Sequence, residues 1–222
     1  MIRLDLKLIK VSLIAYVMAA IVFGAVLSNP DSLYPIMEFE GTHKSDIFYF
    51  LDFVLPFFAS LSVIMQLGAT FENKTFEFFC SLPVRANPII RWARCAIFFI
   101  LSNFVCITLA YVILKFPISF GRMCYLCLAN TILFLSVSLL LIMLIRQIFY
   151  VFCIVYGYLL VDLTIGDTLQ KKYSVFVNIF AQFPGEIIDK NRLAVYIISA
   201  GCIVLAVIIQ QTDFMRRINA KL

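Results

Sequence analysis

Apolar residues run almost unbroken through six stretches of this chain, 11–27, 47–67, 95–114, 123–145, 148–165 and 193–209, and the polar residues gather between them. A helix needs roughly 17–25 residues to cross about 30 Å of hydrocarbon, so all six are long enough, the first, fifth and sixth only just. Lipid offers no partner to a bare amide, which leaves helices or a closed barrel. Barrel strands are shorter and alternate apolar with polar residues, and these runs do neither. The pattern therefore predicts an all-α membrane protein, a single domain over 1–222 with six transmembrane helices.

Composition strengthens this. The chain has a mean hydropathy of +1.00 and is 63% apolar. Charged residues make up 14%, against about 25% in soluble domains. With the N-terminus cytoplasmic, Arg3, Lys7, Lys10, Lys74, Arg85, Arg91, Arg94, Arg146, Arg216, Arg217 and Lys221 fall inside. Lys44, Lys115, Arg122, Lys171, Lys172, Lys190 and Arg192 fall outside. The excess of inner positive charge predicts both termini in the cytoplasm and a multi-pass protein of the cytoplasmic membrane. The formal charge of +5 then reflects topology and is no nucleic-acid footprint. Arg3, Lys7 and Lys10 ahead of an apolar run also fit a signal peptide, with Phe23-Gly24-Ala25 as its cleavage site. The run exceeds the roughly 7–15 residues of a signal core, so it reads as a span.

The connections are lean. The first outer loop, 28–46, is acidic and holds the only histidine, His43. Arg146-Gln147 alone joins the fourth and fifth spans, predicting a tight helical hairpin. The outer segment 166–192 is semi-apolar, and its middle, 173–183, reads as an interfacial or re-entrant helix ended by Pro184-Gly185. Of seven cysteines most lie within spans; Cys124 and Cys127 form a CxxC without further ligands nearby, so packing is the simpler role. No G-x-x-x-x-G-K-[ST] is present, and no soluble segment is long enough for a nucleotide-binding domain. The chain itself is expected to bind no cofactor and to be no enzyme.

One polar stretch stands out, Phe71 to Arg94, FENKTFEFFCSLPVRANPIIRWAR, between the second and third spans. Phe71, Thr75, Phe78 and Phe79 fall at i, i+4, i+7 and i+8, one face of a short amphipathic helix along the inner interface. Pro83 ends it. Asn87-Pro88 is then a helix start, an Asn cap followed by Pro at the first position, and Arg91 and Arg94 would lie near the inner headgroups.

The order Glu72, Thr75, Glu77, Phe78-Phe79-Cys80, Ser81-Leu82-Pro83-Val84-Arg85 and Arg94 resembles the signature of type 2 ABC transporter permeases, the membrane subunits of ABCG-like bacterial exporters. Lys74 stands where that family usually has Gly, and Arg85 comes one position early. The resemblance implies that the segment is a coupling helix docking into a separate ATPase subunit, which would hold ATP and Mg. Its contacts would be Glu72, Thr75, Glu77, Phe78, Phe79, Ser81, Leu82, Pro83 and Arg85, with aromatic anchors and charges that set register. It further implies an N-terminal connecting helix over 1–10. The partners it implies are a second permease, identical or homologous, and an amphipathic substrate such as a peptide, antimicrobial or lipid.

Asp52 in the second span and Asp162 near the outer end of the fifth are the carboxylates at depth. Carboxylates there cost about 2.5–3.5 kcal/mol on insertion scales, and usually face a cavity or a partner. Together with Pro56, four residues after Asp52 and expected to kink the helix, they are candidate translocation-path residues. Tyr150, Tyr156 and Tyr158 are candidates for interfacial or lumen-facing positions. Two other functions fit the sequence less well. An intramembrane hydrolase could use Asp52 and Asp162 as a dyad, but no supporting motif surrounds them. A non-transporting scaffold or sensor would need the same spans and no ATPase.

Overall fold

In the computed structural model, residues 14, 16–18, 20–24, 47, 48, 50–72, 87–115, 118–164 and 185–219 are described. All regular structure among them is helical. A π-helical turn, Phe50–Val54, runs into α1, Leu55–Glu72. α2 is Pro88–Leu114, α3 Phe120–Ile145, α4 Ile148–Thr164 and α5 Gly185–Asn219.

Among the described residues, four helices are long and apolar enough to cross a membrane: Phe50–Gly68, Pro88–Leu114, Phe120–Ile145 and Ile188–Thr212. Ile148–Val161 is a shorter apolar helix. The described residues between 14 and 24 are helical too, within the first predicted span. The protein is thus an all-α, multi-pass membrane protein.

The local signals explain the helix ends. Asn87 caps α2 through its side chain, which accepts from the Ile89 amide at 2.9 Å, and Pro88 takes the first position where its missing N–H costs nothing. α3 starts at Ser119-Phe120, three residues earlier than the apolar pattern indicated, because the Ser119 hydroxyl caps it. Arg146 ends α3 in the left-handed region (φ 58°), and the chain re-enters a helix at Ile148, giving the predicted hairpin. The last helix begins at Gly185, well ahead of 193, so Arg192 lies inside a helix and not in an outer loop. Arg91 is buried whereas Arg94 is exposed, so only the latter keeps the expected headgroup-facing environment.

α3 is the hub, packed upon by α1, α2, α4 and α5. It buries 61% of its apolar window, against 17% for α5, which sets one at the centre and the other at the rim. The core includes Leu51, Leu67, Ile107, Leu126, Leu135 and Val151, all fully buried. The outward faces are apolar as well: Leu101 and Val105 on α2, Ile197 and Leu205 on α5. In water such continuous apolar faces are rare on a monomer; against lipid they are ordinary.

Polar side chains stitch helix to helix inside this core. Trp92 Nε1 donates to the Leu135 carbonyl (2.9 Å) and Asn103 Nδ2 to Thr131 Oγ1 (2.5 Å), joining α2 to α3. The Cys95 thiol and the Gln66 carboxamide join α2 to α1. Tyr156 OH donates to the Phe57 carbonyl (3.2 Å) and lies 3.2 Å from Ser60 Oγ, joining α4 to α1. Gly68 gives the closest approach. A Cβ there would stand 2.0 Å from Ile148 Cγ1, so only glycine lets the start of α4 lie on α1 this tightly.

Candidate functional site: a buried ionic cluster

Asp52, Asn130 and Arg192 come from three different helical segments and meet in the core. Pro56 begins the arrangement. It has no N–H to offer the carbonyl four residues before it, which is that of Asp52. The helix is π-helical at this point, Phe50–Val54, and the Asp52 carbonyl accepts instead from Asn130 Nδ2 at 3.2 Å. The other end of the same carboxamide, Asn130 Oδ1, accepts from Arg192 Nη1 at 2.8 Å. Arg192 Nη2 then reaches Asp52 Oδ2, also at 2.8 Å. The three residues close a ring through one backbone carbonyl, one carboxylate and one guanidinium.

All three are shut away from the surface: Asp52 is 4% exposed, Asn130 and Arg192 0%. Either charge alone would cost several kcal/mol to hold there, and the pair with its hydrogen bonds offsets that cost. Arg192 comes four residues after the start of its apolar stretch and Asp52 two after Phe50. The cluster therefore sits in the half of the bundle near the N-terminal ends of α3 and α5. Asp52 Oδ1 is buried with no hydrogen-bond partner among the described residues.

A seam of polar contacts flanks the cluster between α3 and α5. Arg122 pairs with Asp189 at 3.3 Å on the exposed edge, Tyr125 OH donates to the Asp189 carbonyl (3.3 Å), and Tyr196 OH donates to the Tyr125 carbonyl (2.9 Å). The Tyr125 and Tyr196 rings stack 5.4 Å apart. Cys127, three residues before Asn130, is fully buried and within electrostatic reach of both Asp52 and Arg192. It and Cys124 pack as side chains of the core and its margin.

The sequence-based site residues fall as follows. Asp52 is buried and paired, and its partner is Arg192 on α5. Pro56 acts through the carbonyl it leaves open. Asp162 belongs to α4, but its side chain lies outside the described residues. Glu72 is the last residue of α1, its side chain likewise outside them. Thr75, Glu77, Phe78, Phe79, Ser81, Leu82, Pro83 and Arg85, and the interfacial segment 173–183, all lie outside the described residues. Of the three tyrosines, Tyr156 is buried against α1, while Tyr150 and Tyr158 face outward. Asn130 and Arg192 were not singled out by the sequence. The signal for Arg192 was that Ile187-Ile188 continue the apolar face of the last span upstream of it.

No protein-family model, curated protein or solved structure matches this chain.

Proposed function

We propose that this chain is the membrane-spanning subunit of an ATP-driven exporter similar to the type 2 ABC permeases. It would have six spans with both termini in the cytoplasm, and reside in the cytoplasmic membrane. A separate ATPase subunit carries ATP and Mg, a second permease completes the pathway, and the cargo is an amphipathic peptide, antimicrobial or lipid-like molecule. The observation that carries this reading is the segment from Glu72 to Arg85, polar and aromatic, hung between two helices that can each cross a membrane.

The helix layout supplies a route for the work of such a partner. A push on 73–87 acts directly on α1, which ends at Glu72, and on α2, which begins at Pro88. α1 passes it to α4 through the Gly68–Ile148 contact and the Tyr156–Phe57 hydrogen bond. About 30 Å along the helix axis from Glu72 it reaches Asp52. Force applied at one end of α1 thus arrives at the buried ion pair at the other.

Affinity isolation of the solubilised chain from native membranes tests the proposal. An ATPase subunit should accompany the wild-type chain and be lost when Phe78 and Phe79 are both changed to Ser. Glu77→Lys should leave assembly intact while uncoupling ATP hydrolysis from export. Recovery of the chain with no ATPase under gentle conditions rejects the permease reading.

A further inference from the structure

The cluster of Asp52, Asn130 and Arg192 lies where α5 is tied to the rest of the bundle. We propose that it is a latch that opens: the N-terminal third of α5 parts there from α3 and the Asp52 turn, admitting water to the core beside Cys127. The inference rests on the geometry of the cluster and holds whether or not the chain is a permease. On the permease reading, the latch is the gate at the end of the pathway remote from the ATPase.

Three observations carry it. First, α5 is held at its start by polar contacts on one face. Asp189, Arg192 and Tyr196, at i, i+3 and i+7, meet Arg122, Tyr125 and Asn130 of α3. The apolar window of α5 is only 17% buried, and beside these polar contacts its N-terminal third buries Val195 against Ala129 and Leu133, a small apolar patch that must part with them. Hydrogen bonds and ion pairs can be exchanged for water as the helices separate; buried apolar area cannot.

Second, the opposing backbone is built to give. The π-helical turn Phe50–Val54 and Pro56 interrupt the regular hydrogen-bond ladder beneath Asp52, and such interruptions mark where helices bend. The Asp52 turn can rotate on α1 without unwinding it.

Third, the closed state is not saturated. Asp52 Oδ1 is buried without a hydrogen-bond partner among the described residues, although an ionised carboxylate accepts at both oxygens. A buried ion pair in this condition gains little over a hydrated one, because water restores to both charges what the broken contact takes away. The closed cluster therefore keeps an open acceptor on Asp52 that water fills once the helices part.

Cys127 is a built-in reporter. In a chain whose other six cysteines are replaced by Ser, reconstituted in lipid vesicles, a water-soluble, membrane-impermeant thiol reagent should label it slowly. Asp52→Asn, which removes the negative charge facing Arg192, should raise the labelling rate by about tenfold or more. Tyr196→Phe, which loosens the seam and leaves the ion pair intact, should raise it about fivefold. Gly68→Ala, which disturbs the α1–α4 contact at Ile148 about 24 Å along the helix axis from Asp52, should leave it unchanged.

An unchanged rate in folded Asp52→Asn overturns the latch. If that variant does not fold, an unchanged rate in Tyr196→Phe does so. An equal rise in Gly68→Ala also overturns it, since the bundle would then be loosening everywhere. Cys127 labelling and recovery of an ATPase are read separately, so failure of one leaves the other standing.

Discussion

Asn130→Ala is the sharpest probe of the cluster, because it removes the hydrogen bonds to Asp52 and from Arg192 without adding or deleting a charge. The bond from Arg192 Nη1 to Asn130 Oδ1 is short and charge-assisted, at 2.8 Å. Bonds of that kind are worth about 1.5–3 kcal/mol net. The bond from Nδ2 to the Asp52 carbonyl, at 3.2 Å, is neutral. Interhelical bonds of this sort in membrane proteins average about 0.6 kcal/mol. The expected loss is therefore about 2–3.5 kcal/mol, taking the two as additive. SDS titration in mixed micelles can measure it, followed by the fluorescence of Trp92, the single tryptophan, which is buried against Leu135. Pro56 allows a second test. Pro56→Ala supplies an N–H that can serve the Asp52 carbonyl, so in that background Asn130→Ala should cost less by about 0.6 kcal/mol or more. A loss below about 1 kcal/mol would refute the assignment of a charge-assisted bond to Asn130. An equal loss with and without Pro56 would refute the claim that the proline creates the need for it.

Other substitutions test the packing around the site. Gly68→Ala should destabilise by about 1–3 kcal/mol in the same titration, and Ile148→Ala alongside it should recover much of that by vacating the space the new methyl needs. Asp52→Leu alone takes the carboxylate away from the buried Arg192 and should cost about 3–5 kcal/mol, whereas Asp52→Leu with Arg192→Met should come within about 1 kcal/mol of the wild type or exceed it. Asn87→Ala removes the cap on α2 and should cost about 0.5–2 kcal/mol, while Asn87→Asp, which still accepts from the Ile89 amide, should keep the stability.

The helices were legible wherever the cause was local. Asn87-Pro88 marks the start of α2 because the cap and the missing N–H act within one turn. Arg146-Gln147 marks the α3–α4 hairpin because two residues leave no other path. The apolar runs reveal membrane helices because lipid demands the same residues on every outward face. The ionic cluster was half legible. Asp52 was conspicuous as a carboxylate in a span, and Pro56 as a break after it. Arg192 read as a loop residue because a lone arginine next to Asn191 and Lys190 resembles a helix end in water. Its burial depends on a carboxylate 140 positions away in sequence. Asn130 carried no signal at all, since its role depends on two other segments, the Asp52 carbonyl left open by Pro56 and the guanidinium of Arg192. Interactions of this kind belong to the packed bundle and leave no periodic trace in any one segment.

α5 is 35 residues long, and Arg192 lies near one end of it. From Arg192 back to Gly185 is about 10 Å along the helix axis, and on to Asn219 about 40 Å. Pinned at the arginine, the helix is a lever with arms in a ratio of about one to four. A tilt of about 10° about that point shifts the short end by roughly 2 Å and sweeps the far end through roughly 7 Å. A displacement too small to register at the pivot is thereby magnified at the opposite face of the membrane. The same gearing run backwards means that a modest pull on the last turns of α5 bears on the Gly185 end with about four times the force.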